Sequence, residues 1–168
     1  MNRLQEALKF VHPNPSLKLH QVHYQDGYII ASDGFSIYRA YYKTQENEKF
    51  FNDEFIAKFF NAHLPFISVD GENMLQAVLT LENISAKEDH PHLRVGITEE
   101  GYTNYHYECE GTRYHEHSEG EESVMEFDAK GYKIDIPPTR VAFNFNANCV
   151  NFYLPGSRMV ILKNTKGE

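Results

Sequence analysis

Tyr28-Ile29-Ile30-Ala31-Ser32-Asp33-Gly34-Phe35-Ser36-Ile37-Tyr38-Arg39-Ala40-Tyr41-Tyr42 sets two runs of β-branched and aromatic residues on either side of Asp33-Gly34. Runs of that composition around an Asp-Gly pair are the pattern of two strands joined by a tight turn. Phe35, Ile37, Arg39 and Tyr41 alternate with Ser36, Tyr38, Ala40 and Tyr42, so successive side chains fall on opposite faces of a strand. Upstream, Leu17, Leu19, Gln21, His23 and Gln25 alternate with Lys18, His20, Val22 and Tyr24, which predicts an extended segment turning at Asp26-Gly27 into Tyr28. Together these runs predict a three-stranded antiparallel meander.

Outward from this meander, Leu4, Ala7, Leu8 and Val11 recur at helical spacing behind Asn2, and Pro13 closes the pattern, which predicts a short helix over 3–11. Asn52-Asp53-Glu54 ahead of Phe55, Ile56, Phe59 and Phe60 predicts a second over 53–62. Residues 66–84 fit both periods, and the alternation of Leu75, Ala77, Leu79 and Leu81 is read as a strand. Further short strands follow at 93–98, 102–109, 114–118, 123–128, 132–136, 141–145, 150–153 and 159–162, cut by Gly and Pro. No repeat or linker divides the chain. The expectation is one α+β domain over 1–168, a large antiparallel sheet with two short helices packed on one face, and a His-rich, acidic insertion near 85–122.

The 168 residues suffice to bury a core without disulfides or a metal. Two cysteines, Cys109 and Cys149, are too few for a secreted disulfide framework, and no apolar run is long enough to span a bilayer, which together point to the cytoplasm. Twelve Phe and eleven Tyr favour half-buried sheet positions. A formal charge of −8 argues against coating nucleic acid or membrane by bulk charge, though a local basic face is compatible with it.

Phosphate-loop, dinucleotide, nucleophile-elbow and His-Glu-x-x-His motifs are all absent from the sequence. Asp33 in an Asp-Gly pair reads as a structural turn residue together with Gly34, and the cysteines read as small buried hydrophobes. If Gly111-Thr112 is a two-residue turn, Glu108 faces His115 and His106 faces His117. Three imidazoles and a carboxylate then share one face, a set suited to zinc or a similar divalent ion in a metal-binding protein or metal-dependent hydrolase. An ordinary solvated hairpin face explains the same residues. Arg3 and Lys9 on the first helix and Lys58 on the second are the candidates for touching a phosphate backbone.

The segment Leu17 to Ala40, with Ala31-Ser32-Asp33-Gly34 ending a strand, resembles a stretch of the bacterial and phage DNA sliding clamps, the processivity factors of replicative polymerases. The order of elements is similar too: a helix at Leu4 to Val11 before the segment, a second at Asn52 to Ala62, and the closing run from Val141 through Pro155-Gly156 to Leu162. The resemblance implies a clamp-like, non-enzymatic domain without cofactor, of phage or mobile-element origin, whose helices face duplex DNA and whose edge strands pair head to tail in a homo-oligomer. Replication proteins would be its other partners. An adaptor domain binding neither DNA nor metal is the third reading.

Overall fold

In the computed structural model, residues 2–61, 63–64, 67–68, 71–84, 92–98, 103–109, 112–115 and 121–162 are described. Strands β1 (His23–Gln25), β2 (Tyr28–Ser32) and β3 (Ser36–Tyr41) form the expected meander. Gln25 pairs with Tyr28 across Asp26-Gly27, and Ser32 pairs with Ile37 across the Asp33-Gly34 turn. The segment ahead of β1 is shorter in extended structure than expected. Lys18–His20 form a single 3-10 turn, because the His20 ring meets the His12 carbonyl at 2.7 Å and the His12 N–H donates to Leu19. Those local bonds take backbone groups that a strand would offer to a neighbour.

The first meander is joined to the last one. Strand β11 (Ser157–Leu162) lies antiparallel beside β3, and β10 (Cys149–Leu154), β9 (Arg140–Asn144) and the two-residue β4 (Ile67–Ser68) follow. The order is β1-β2-β3-β11-β10-β9-β4, all antiparallel. A second sheet holds β5 (His92–Thr98), β6 (Thr103–Cys109), β7 (Thr112–His115) and β8 (Glu121–Asp128) in the order β7-β6-β5-β8. Tyr132 to Ile136 forms no strand: Tyr132 and Ile134 are buried, but the Tyr132 hydroxyl donates to the Ile136 carbonyl at 2.6 Å, and Pro137-Pro138 supply no N–H to a ladder.

Alternation along each strand divides the seven-stranded sheet's side chains into two cores. Ile29, Ala31, Tyr38, Ala40, Val150, Phe152, Met159 and Ile161 pack with Ala7 and Phe10, with Met74, Leu75 and Val78, and with Phe127 of β8. Ile30, Ile37, Cys149 and Val160 pack on the opposite face with Phe51, Phe59 and Phe60. Helix α1 (Arg3–Leu8) therefore covers one face and α2 (Asp53–Phe59) the other. The α+β class holds, but the two helices do not share a face, since the sheet is apolar on both sides and each needs a cover. Asn2 caps the first as expected, and Asn52 caps the second, each accepting from the N–H three residues on.

A third helix, α3 (Gly71–Ile84), occupies most of the segment read as a strand. Its burial follows the helical period: Met74, Leu75 and Val78 are buried, while Glu72 and Gln76 are exposed. The alternating leucines satisfy either period, and fourteen residues is longer than the usual strand.

One buried carboxylate ties α1 to the sheet. Glu6 is 1% exposed, its Oε1 accepting from the Tyr38 hydroxyl at 2.5 Å and from Arg3 at 2.9 Å. Arg3 also donates to the Pro155 carbonyl in the β10–β11 turn at 2.9 Å, and a side chain at Gly156 (φ 74) would collide with its guanidinium. Burial, then the Glu6 contact, pushes the Tyr38 hydroxyl well above its ordinary pKa, so it stays a donor. Tyr38→Phe is expected to lower unfolding free energy by about 1–3 kcal/mol, because the carboxylate loses a donor while staying buried. An unchanged urea midpoint would refute this account of the contact.

Candidate functional site

The Asp33-Gly34 corner is built by one carboxylate. Asp33 Oδ1 accepts the Phe35 and Ser36 N–H groups at 2.8 Å each, and Gly34 takes the left-handed backbone (φ 92) that the turn requires. Lys133 Nζ meets Asp33 Oδ2 at 2.5 Å. Burial pushes the Asp33 carboxyl pKa up, but the Lys133 contact and the two backbone donors together hold it below the ordinary value. All these groups stabilise the carboxylate as an acceptor.

The three candidate phosphate contacts are not brought together. Arg3 is spent on Glu6 and Pro155, with its side chain one third exposed at 33%. Lys9 closes α1 and is exposed. Lys58 is exposed on α2, on the other side of the sheet, its Nζ 5.2 Å from the Phe59 ring centre.

A different set of cations is assembled where β3 meets β11. Arg39 pairs directly with Arg158, Arg158 with Tyr153, and Tyr153 with Arg140, so one row crosses four strands on the α2 face. The Arg39 guanidinium carbon lies 4.0 Å from the Tyr28 ring centre and 4.2 Å from that of Phe60. Arg158 stands 4.8 Å from Tyr153 and 5.5 Å from Phe60. Tyr28 in turn stacks on Tyr41 at 4.7 Å, and Tyr41 is 73% exposed. Arg158 donates to Asn151 Oδ1 and to the Phe59 and Phe60 carbonyls, closing the C-terminal end of α2. Burial lowers the pKa of both guanidiniums, and for Arg39 the charge of Arg158 acts in the same direction. Tyr28, Arg39 and Tyr41 were visible in the sequence as strand residues. What brought them to Arg158 and Tyr153 was the β3–β11 register, for which no local signal exists.

The histidine hairpin pairs differently from the expectation. Cys109 lies opposite Thr112, Glu108 opposite Arg113 and His106 opposite His115. The register therefore differs by two residues from the one that sets Glu108 opposite His115. His117 lies outside the described residues. Among the described residues no group of three or more His, Cys, Asp or Glu side chains is placed to hold a metal ion. Cys149 is fully buried and its thiol is pushed up to about 11 by burial.

No family model and no curated protein matches the sequence. Solved structures do match in fold. A putative DNA polymerase III beta subunit from Eubacterium rectale superposes with a TM-score of 0.69 at 13% identity, covering 96% of this chain and 62% of that one. The DNA polymerase sliding clamp of Caulobacter crescentus gives 0.66 at 14% identity, covering 96% and 62%. The DNA polymerase III beta chain of Streptococcus pneumoniae gives 0.66 at 12% identity, covering 97% and 62%. The chain thus has a sliding-clamp-like α+β fold and spans less than two thirds of the length of these proteins. No helix among the described residues is long and apolar enough to cross a membrane.

The Asp33 corner sets a pH dependence. A carboxyl whose native pKa is lowered adds stability that is complete above its ordinary value of about 3.9 and is lost as pH falls through the lower native value. Asp33→Asn is expected to cost about 1.5–3 kcal/mol at neutral pH and to flatten the acid limb of the stability curve. Acid titration of urea midpoints for both proteins checks it, and parallel limbs would contradict the assignment.

Proposed function

We propose that this chain is a non-enzymatic, clamp-like domain of DNA replication that holds duplex DNA without reading its sequence. The observation that carries the reading is the sliding-clamp-like fold, which extends over 96% of the chain. The α1 side offers the exposed Lys9 for weak phosphate contacts, and such contacts permit sliding. A clamp acts by topology and needs no chemistry from its side chains. Encirclement would be by several copies closed into a ring, which fits the cyclic symmetry of most homo-oligomers.

The β1 edge is partly covered within the chain. Glu48 N–H donates to the Tyr24 carbonyl at 2.9 Å, and the Gln25 side chain exchanges two hydrogen bonds with the Phe51 backbone at 2.8 and 2.9 Å. His23, buried in the same strand, meets Glu48 at 2.6 Å and the Lys18 carbonyl at 3.0 Å. Subunit pairing would then use another edge.

Light scattering of the purified chain, with and without duplex DNA at low and moderate salt, tests this reading. The expected result is a closed oligomer that binds duplex at low salt and releases it as salt rises. Lys9→Glu should weaken duplex binding and reduce the log–log salt slope by about 0.9 per lost contact. A monomer indifferent to duplex would overturn the reading.

A further inference from the structure

Two arginines directly opposite each other in a sheet repel, so their pairing needs compensation. Arg158 has it: its N–H groups reach Asn151 and two carbonyls of α2. Arg39 does not. It is half-buried, its guanidinium lies against the Tyr28 and Phe60 rings, and its side chain takes part in none of the hydrogen bonds or ion pairs among the described residues. Both rings lie close to the guanidinium carbon, no acceptor among the described residues meets its N–H groups, and those groups match the paired oxygens of a phosphate or carboxylate. Its nearest cation, Arg158, adds to the local positive field.

The surrounding side chains select between those anions. Tyr41 is 73% exposed and stacks on Tyr28, and Tyr153 lies on the far side of Arg158. The exposed Tyr41 ring, with the half-buried Tyr28 and Tyr153 beside the arginines, suits unstacked bases following a phosphate backbone, whereas an acidic peptide has no use for such rings. Duplex bases are stacked on each other and offer no free face to Tyr41. We propose that the row of Tyr41, Tyr28, Arg39, Arg158 and Tyr153 on the α2 face binds single-stranded nucleic acid, with a backbone phosphate at Arg39 and a base on Tyr41. This site is independent of the proposed duplex contact, because Lys9 lies on the opposite side of the sheet.

Fluorescence anisotropy with a labelled oligothymidylate at low salt tests the site, with unlabelled duplex and polyglutamate as competitors. Binding should weaken about tenfold or more in Arg39→Gln and about fivefold or more in Tyr41→Ala. Tyr41→Phe should bind as the parent chain does, and Lys9→Glu should leave oligothymidylate binding unchanged while weakening duplex. Far-UV dichroism and melting establish folding of each variant. If Arg39→Gln does not fold, the exposed Tyr41 pair still decides, since only stacking separates alanine from phenylalanine there. Absence of oligothymidylate binding, indifference to Tyr41→Ala, or equal displacement by polyglutamate would overturn the proposal. Failure of duplex binding alone would overturn the clamp reading and leave this one standing.

Discussion

The pairing of β3 with β11 is the constraint on which the rest of the molecule depends. It joins residues 36–40 to residues 157–161, so a meander near the start of the chain and one near its end become a single sheet. Closing so long a loop costs entropy before any contact repays it. The repayment comes from both faces of the seam. Tyr38 and Met159 bury into one core, and Ile37 and Val160 into the other. Glu6 and Arg3 fasten α1 to both partners at once, through the Tyr38 hydroxyl on β3 and the Pro155 carbonyl beside β11. A register slip of one residue would exchange the cores and strand the Glu6 carboxylate, which is why this pairing tolerates no alternative.

The same register produces a row that is costly on its own. With Tyr38 opposite Met159, Arg39 must stand opposite Arg158. The fold contains the repulsion by placing Phe60 over both guanidiniums and by giving Arg158 the carbonyls at the end of α2. Cation–π contact and C-terminal capping thus do for this pair what a carboxylate does for Arg3. The second helix is held by the cations it helps to shield, so α2 and the arginine row belong to one unit of structure.

What was legible in the sequence was local. The hairpins around Asp26-Gly27, Asp33-Gly34 and Pro155-Gly156 lie where turn residues interrupt β-branched runs, and Asn2 and Asn52 cap the helices they precede. Residues 71–84 fit two periods through Leu75, Leu79 and Leu81, and the buried set that settles the matter, Met74, Leu75 and Val78, is defined by what the helix packs against. The placement of the helices on opposite faces is hidden for a related reason: alternation shows that strands have two sides, but not that both are covered. The histidine hairpin shows the limit of turn chemistry, since its register sets Arg113 rather than His115 opposite Glu108. Arg39 and Arg158 met through a register between strands far apart in the chain, information that no short stretch carries.

The two proposed nucleic-acid contacts must work against a net charge of −8. Its long-range field repels nucleic acid, and only within about a Debye length of 10 Å do local cations prevail over it. On the α1 side Arg3 is neutralised by Glu6, so attraction there is weak. Weak attraction suits a protein that retains duplex by surrounding it, because tight contacts would stop it from sliding. The α2 side has the opposite character: guanidiniums are concentrated, partly desolvated and flanked by rings, which favours a held strand over a mobile one. A sheet covered by helices on both faces makes the proposed division possible, since its two sides present different surfaces and the charges of one are separated from those of the other by two layers of core.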